Sequence, residues 1–321
     1  MAAKNNQERR AARQAEREEM ERRREAQRAK DRRHQTIIGV VVVAVVAVLV
    51  VIAGIAVYRS LHPQAQAQDP AVTQSAQAAL QDDSVKPARA DEQGGVLISK
   101  DGYGKAVKGV PTVGIYMDFM CPGCGQLHRD LDQTLVELVD AGQINLELYL
   151  MAFMDSYSTD EYSSRVANAA VYILEHDDDP HHLMSFLERM FSEDVQPEEG
   201  NYEATAVSDE EIVEQAKAAG VAEDVADSAI TRNYDQWLYA LNSYTIGREE
   251  LRGGKESMST PTVTINGYYW DRANVMAQQH LDSRQALLEA IGLKDDEVGV
   301  AGKLPSIGAD GKPLVGDVST K

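Results

Sequence analysis

The stretch DFMCPGCGQLH, Asp118–His128, holds the only two cysteines of the 321-residue chain, Cys121 and Cys124. The run before it, PTVGIYMDFM, is apolar on both faces and predicts a central strand. The run after it, LHRDLDQTLVELVDAG, has helical apolar spacing and ends at a glycine. Proline is favoured at the first helical position, so Pro122 predicts that Cys121 is the N-cap. Its sulfur would then face the free amides of the first turn, which favours the thiolate.

This spacing predicts a redox pair in which Cys121 attacks or is attacked and Cys124 closes or resolves the disulfide. A structural zinc site is the first alternative, but it needs four ligands and the chain has no further cysteine. A static disulfide is another, although so short a loop removes little chain entropy. Copper binding by the two thiols and a histidine is a third. We predict no metal site and no bound cofactor.

Residues 37–58 read IIGVVVVAVVAVLVVIAGIAVY and carry no charge. As a helix they would span about 33 Å, enough for a bilayer core of about 30 Å. A buried soluble helix is rarely so uniformly apolar. A cleaved signal peptide is the stronger alternative, since Ala65 and Ala67 follow at A-x-A spacing, but the apolar run is too long for a signal core. We predict an uncleaved transmembrane helix that binds the lipid bilayer.

Charge is unevenly distributed along the chain, whose net charge is −19. Residues 1–35 carry 12 Lys or Arg against 7 Asp or Glu, so the remainder is more acidic than the whole. Positive flanks stay in the cytoplasm, which makes 1–36 a cytoplasmic segment and places the remainder outside. A basic tail that binds RNA or lipid is an alternative for that segment. The acidic remainder argues against nucleic-acid binding.

The remainder of the chain divides by composition and periodicity. An Ala/Gln/Pro-rich stretch predicts a linker, and short strands around the turns Asp101-Gly102 and Asn266-Gly267 predict hairpins. Between the strand groups lies a run of helical patterns. The order of elements is that of an α/β core with a helical insertion. The predicted units are a linker at 59–93, a core at 94–156 and 258–292, an insertion at 157–257, and a mostly disordered C-terminal tail at 293–321.

The motif DFMCPGC after a strand, followed much later by STPTVTINGYYW, resembles the DsbA-like thiol–disulfide oxidoreductases of the thioredoxin superfamily. It is most similar to the membrane-anchored bacterial type. The resemblance covers about residues 94–292. It implies a thioredoxin fold with a helical insertion domain, preceded by one N-terminal transmembrane helix.

The resemblance also implies roles for individual residues. Cys121 matches the nucleophile and Cys124 the resolving thiol of the CPxC motif. Pro261 matches a cis-proline that lies against the cysteine pair, and Thr260 matches the residue whose backbone pairs with a substrate peptide. An ordinary edge-strand proline is the alternative for Pro261, because few X–Pro bonds in folded proteins are cis. Asp118 matches an acidic position that accepts a proton during exchange, against the alternative of a solvated or capping carboxylate.

Two positions near the motif need separate comment. Strongly oxidising relatives often have a histidine between the cysteines, where this chain has Pro122 and Gly123. Without that side chain we predict a less acidic Cys121 and a less oxidising disulfide. His128 is predicted to lie on the helix surface, with a role in the site as the alternative.

The predicted function is that of a membrane-anchored, extracytoplasmic oxidase that gives its disulfide to exported proteins with thiols. The resemblance implies reoxidation by a membrane-embedded, quinone-linked partner. A disulfide reductase or isomerase of the same fold is the first alternative. A non-enzymatic, anchored binding module is the second.

Overall fold

The computed structural model describes residues 70–82 and 84–318. Its centre is one six-stranded sheet with the strand order β2-β1-β4-β3-β5-β6. The strands are β1 Val96–Ser99, β2 Gly102–Tyr103, β3 Thr112–Asp118, β4 Asn145–Met151, β5 Thr262–Ile265 and β6 Tyr268–Tyr269. The predicted thioredoxin-type α/β fold is therefore present in the described residues.

Strand β3 is central, as its sequence predicts. It pairs in parallel with β4 from Thr112↔Asn145 to Asp118↔Met151, and antiparallel with β5 on its other side. All of β3 after its first residue is buried, which explains why its apolar pattern is continuous rather than alternating. Asp118 therefore lies at the C-terminal end of this central strand, and the cysteine motif follows it directly.

Two predicted hairpins frame the sheet. Strands β1 and β2 pair around Lys100-Asp101, one residue before the predicted Asp101-Gly102 turn, and β5 and β6 pair around Asn266-Gly267. Asn266 and Gly267 have φ values of 51° and 80°, the left-handed conformations that a two-residue hairpin turn requires. The turn predicted at Asn266-Gly267 is confirmed, and the first predicted hairpin is present with its turn one residue earlier than predicted.

Helix α2, Pro122–Asp140, connects β3 to β4. It begins with Pro122 after the N-cap Cys121 and ends before Gly142, whose φ is 64°. One face is buried along its length through Leu127, Leu131, Leu135 and Leu138. Because this face packs in the core, the N-terminus of the helix is held at the end of β3.

The helices between β4 and β5 lie within the range expected for the insertion. Their core includes the fully buried Trp237 and Phe186. They are α3 Tyr162–His176, α4 Pro180–Met190, α5 Tyr202–Thr205, α6 Asp209–Ala218, α7 Glu223–Ser228 and α8 Asp235–Gly247. Short 3-10 turns occupy Asp155–Tyr157 and Glu249–Leu251, and after β6 come α9 Arg272–Gln279, α10 Ser283–Ile291 and the 3-10 turn Asp295–Glu297.

The described part of the predicted linker 59–93 is not a simple linker. Helix α1, Pro70–Leu80, packs along α8 and buries Ala76 and Leu80. Arg89 then donates a hydrogen bond to the carbonyl of Leu174 in α3. Alanine favours helix, and the few apolar side chains of this stretch are sufficient for docking. The prediction of a linker is therefore wrong for these residues.

The predicted disorder of the tail 293–321 is also wrong for its described residues. The fully buried side chain of Gln143 donates to the carbonyls of Glu297 and Lys303 at 2.7 and 2.8 Å, and accepts from the N–H of Gly299 at 2.9 Å. Asn266 donates to further tail carbonyls, those of residues 308 and 311. Hydrogen bonds from amide side chains to the tail backbone help to order this segment, together with Val298, Ile307 and Val315, which pack against the core.

Within residues 70–82 and 84–318, no helix is both long and apolar enough to cross a membrane. The predicted transmembrane helix 37–58 and the charged segment 1–36 lie outside the described residues.

Candidate active site

The two cysteines lie where β3 meets α2, and both are free thiols. Cys121 is the N-cap, with an extended backbone (φ −74°, ψ 116°), and its N–H donates to the carbonyl of Asp118 at 3.1 Å. Cys124 lies one turn into the helix and is fully buried, while Cys121 retains 6% of its exposure. The predicted N-cap is confirmed, and of the two cysteines only Cys121 keeps any exposure.

The two thiols differ in acidity. A hydrogen bond from the Cys124 thiol is the main cause that lowers the pKa of Cys121 to about 7, against the opposing effect of burial. The backbone N–H of Cys124 contributes less. Burial raises the pKa of Cys124 well above its usual range, and its hydrogen bond to Cys121 adds to this effect. The hydrogen bond from the neighbouring thiol therefore lowers the pKa of Cys121 more than the backbone N–H group of the first helical turn does.

The second half of the site comes from the loop before β5. The Thr260–Pro261 peptide bond is cis, as the resemblance predicts. The Cys121 Sγ atom donates to the carbonyl of Thr260 at 3.3 Å. A Cβ atom at Gly123 would lie 3.0 Å from Pro261 Cδ and 3.8 Å from Cys121 Sγ, so the glycine lets the proline loop approach closely. Residues far apart in sequence thus meet at one sulfur.

Asp118 is fully buried beneath this site rather than solvated. Its carboxylate accepts hydrogen bonds from the hydroxyl of Ser163 at 2.5 Å and from the backbone N–H groups of Met120, Phe153 and Met154 at 2.8–3.1 Å. Burial nonetheless raises its pKa to about 6. A carboxyl that changes protonation near neutral pH is suited to moving a proton beside a thiol pair.

The raised pKa of Asp118 predicts a specific pH dependence of stability. Folding raises this pKa from 3.8 to about 6, so the folded chain binds the proton more tightly than the unfolded chain does. The resulting stabilisation is complete below about pH 4 and is lost as pH rises through about 6. Between pH 4 and 7, we expect the free energy of unfolding of wild type to fall by about 2 kcal/mol relative to Asp118→Asn. Urea unfolding of both proteins across this range measures the difference, and parallel pH profiles would contradict the prediction.

The prediction that His128 lies on the surface is wrong. Only 3% of the residue is exposed. Its ring projects from α2 and stacks on the ring of Phe191, with centroids 4.1 Å apart. Nδ1 lies 2.8 Å from a carboxylate oxygen of Asp132, while Nε2 has no hydrogen-bond partner among the described residues. Phe191 also stacks on Phe119, with centroids 5.1 Å apart. The histidine is therefore part of the packing between helices.

Two contributors to the site were missed by sequence reasoning. Ser163 binds the carboxylate of Asp118, and Gln196 donates to the carbonyls of Phe119 and Cys121. Both lie in the insertion, more than 40 residues from their partners, and neither belongs to a local motif. In the part of the chain that the structure describes, no group of three or more His, Cys, Asp or Glu side chains is arranged to hold a metal ion.

Comparison with known families agrees with this geometry. Residues 106–282, more than half of the chain, match the family model described as thioredoxin. The chain therefore belongs to the thioredoxin family.

Individual relatives are more distant. The serine/threonine-protein kinase PknE of Mycobacterium tuberculosis is 29% identical over 168 residues, which are 52% of this chain and 28% of the kinase. The chain thus spans little more than a quarter of the length of this curated relative.

Several solved structures are also similar. Oxidised DsbA of M. tuberculosis is 27% identical with a TM-score of 0.44, and the match covers 58% of this chain and 91% of that one. DsbG of the same organism, titled a disulfide bond oxidoreductase, has 26% identity, a TM-score of 0.42 and coverages of 63% and 91%. MdbA of Actinomyces oris, titled a thiol-disulfide oxidoreductase, has 20% identity, a TM-score of 0.47 and coverages of 63% and 86%.

Proposed function

We propose that this chain is a thiol–disulfide oxidoreductase that donates the Cys121–Cys124 disulfide to exported proteins. One observation carries the proposal: a partly accessible thiol of pKa about 7 lies between a buried thiol of raised pKa and a cis-proline loop. Membership in the thioredoxin family supports it. The asymmetry matters because a thiol of lower pKa is both more ionised and the better leaving group.

The reaction follows from this asymmetry. A client thiolate attacks Sγ of Cys121 in the oxidised enzyme, a mixed disulfide forms, and Cys124 leaves and takes up a proton. A second client thiolate then attacks the client sulfur of the mixed disulfide and releases Cys121 as a thiolate. The client gains one disulfide and the enzyme gains two electrons. Asp118 is the group we assign to moving the proton at Cys124, because it is buried beneath the pair and changes protonation near pH 6.

Client binding is proposed to use the backbone of Thr260 together with the surface of the helical insertion. Backbone pairing does not read side chains, so broad client use is expected. Pro261 and Gly123 hold this loop close to Cys121.

The cellular setting is proposed from the sequence. Residues 37–58 would anchor the chain in the cell membrane, with residues 1–36 in the cytoplasm and the catalytic domain outside. The two electrons gained by the enzyme require an oxidant, and we propose a membrane-embedded, quinone-linked reoxidase. That assignment rests on the family resemblance.

One observation favours the reverse direction as a second candidate. A Cys121 pKa of about 7 is the value typical of reducing thioredoxin, whereas the strong oxidant DsbA has about 3.5. When the Cys121 thiol is less acidic, its thiolate stabilises the reduced enzyme less, and the disulfide is then a weaker oxidant. A disulfide reductase or isomerase would use the same residues.

The redox state of the pair in cells, read together with its reduction potential, separates the two candidates. The full-length protein is equilibrated with glutathione buffers, and the fraction of Cys121–Cys124 disulfide is measured by thiol trapping. We expect a potential more negative than the approximately −120 mV of the strongest oxidants, and a mainly oxidised pair in cells. A pair that is mainly reduced in cells would reject the oxidase and support the reductase. A pair that exchanges with no disulfide would reject both.

A further inference from the structure

We propose that Gln196 is a positioning residue of the redox pair, which fixes the backbone of Phe119 and Cys121 from the helical insertion. It lies after α4, in the loop that leads to α5. The inference rests on the proposed function only in taking the pair to be redox-active. The quantity that it concerns, the acidity of Cys121, is measurable without any client.

The amide of Gln196 spans the turn between β3 and α2. Its Nε2 atom donates to the carbonyl of Phe119 at 3.1 Å and to that of Cys121 at 2.9 Å. The Cys121 carbonyl also accepts from the N–H groups of Cys124 and Gly125 at 3.0 and 3.2 Å, which closes the first turn of α2. One side chain from the insertion therefore holds both ends of the loop that carries the nucleophile.

The orientation of this amide is determined by its surroundings. Gln196 Oε1 accepts from Nη1 of Arg129 at 3.4 Å, and the same Nη1 donates to the carbonyl of Phe191 at 2.8 Å. Exchanging the amide's oxygen and nitrogen would place Oε1 against two carbonyl oxygens, so only one orientation satisfies every group. Arg129 thus keeps the donor end of Gln196 on the redox loop.

Gly125 provides the space that this amide needs. A Cβ atom at position 125 would lie 1.9 Å from Gln196 Oε1 and 2.6 Å from Arg129 Nη1. No other residue at this position would leave the amide where it is. The glycine after the CPGC motif is therefore explained by a contact with the insertion.

The acidity of Cys121 depends on where its backbone lies. Its pKa is lowered mainly by a hydrogen bond from the Cys124 thiol, and hydrogen bonds weaken steeply with distance and angle. A Cys121 whose carbonyl has lost the Gln196 donor is held less firmly against Cys124. The insertion would then tune the reactivity of the pair without touching a sulfur atom.

The test is the pH profile of Cys121 alkylation in the reduced, full-length protein. We expect a midpoint at about 7 for wild type and a higher midpoint for Gln196→Met, with alkylation at pH 7 slowed about three- to tenfold, because one pKa unit is a factor of ten. The matched control is Gln215→Met, which removes an amide that accepts from Arg189 within the insertion at 3.2 Å. The control is expected to keep the wild-type midpoint.

A second variant reaches the same contact from the other side. Gly125→Ala displaces the Gln196 amide, although alanine favours the helix more than glycine does. We expect it to raise the midpoint as well, and the double variant with Gln196→Met to raise it no further. This variant decides the question if Gln196→Met does not fold.

Profiles of Gln196→Met and Gly125→Ala that superimpose on wild type would overturn the proposal. That result would leave client oxidation by wild type untouched, so the proposed function would survive. Raised midpoints in a protein that oxidises no client would give the opposite outcome: the positioning role would stand and the proposed function would fall.

Discussion

Cells that express Cys124→Ala are expected to accumulate mixed disulfides between Cys121 and client proteins, and cells that express Cys121→Ala are expected to accumulate none. Cys121 is the sulfur with residual exposure and a lowered pKa, so it forms the bond to the client. In the Cys124→Ala variant, the Cys121 thiolate attacks client disulfides and forms the mixed disulfide. Cys124 is fully buried beside Cys121 and is the enzyme thiol that can attack this bond and return the client. Without Cys124 only a client thiol can release the adduct, so adducts accumulate.

The measurement is non-reducing electrophoresis of acid-quenched cells, followed by identification of the captured proteins. Purified Cys121→Ala should show only background oxidation of a dithiol peptide, because Cys124 alone is neither accessible nor acidic. Adducts that form equally with Cys121→Ala would show that Cys121 is not the attacking sulfur. Captured exported proteins would support the proposed clients, whereas exclusively cytoplasmic partners would contradict the proposed topology.

Replacement of Gln143 by leucine is expected to lower the free energy of unfolding by about 3 kcal/mol. The side chain is fully buried, and it satisfies two tail carbonyls and one tail N–H, at positions 297, 303 and 299. Leucine fills similar space but removes the hydrogen-bond partners of the Lys303 carbonyl and the Gly299 N–H, whereas the Glu297 carbonyl keeps the N–H of Val300. A buried backbone group without a partner is not compensated for its lost hydration.

Urea unfolding measures the change. The matched control is Gln133→Leu, which makes the same replacement within α2. Gln133 is exposed and bonds only to Glu137, so its replacement should change stability by no more than about 0.5 kcal/mol. Hydrogen exchange in residues 297–303 should rise in Gln143→Leu. Equal stability of the two variants would show that the tail contributes little to the fold.

The sequence predicted those parts of the fold that local patterns encode. The continuous apolar run of β3, the hairpin around residues 99–102, the turn at 266–267 and the end of α2 before Gly142 each follow from a few neighbouring residues. The cysteine pair was found from its own short motif. The cis bond at Pro261 was expected only from the family resemblance.

What could not be predicted depends on partners distant in sequence. His128 is polar, and its sequence context predicts a position on the helix surface. The structure buries it because Phe191, distant in sequence, packs over its ring. The tail lacks apolar periodicity, because amide side chains bind its backbone and its few apolar contacts, such as those of Ile307 and Val315, are widely spaced. Gln196 belongs to no pattern at all, since its role exists only when the loop after α4 meets the start of α2.

The tail also sets an order on the making of this protein. Cys121 is separated from Thr260 by 139 residues, and Gln143 from Lys303 by 160. A chain synthesised from its N-terminus therefore presents both thiols long before the proline loop and residues 297–303 are made. Chains that stop before those residues would carry exposed sulfhydryls without the surroundings that control them, so quality control of this protein depends on segments made long after the thiols.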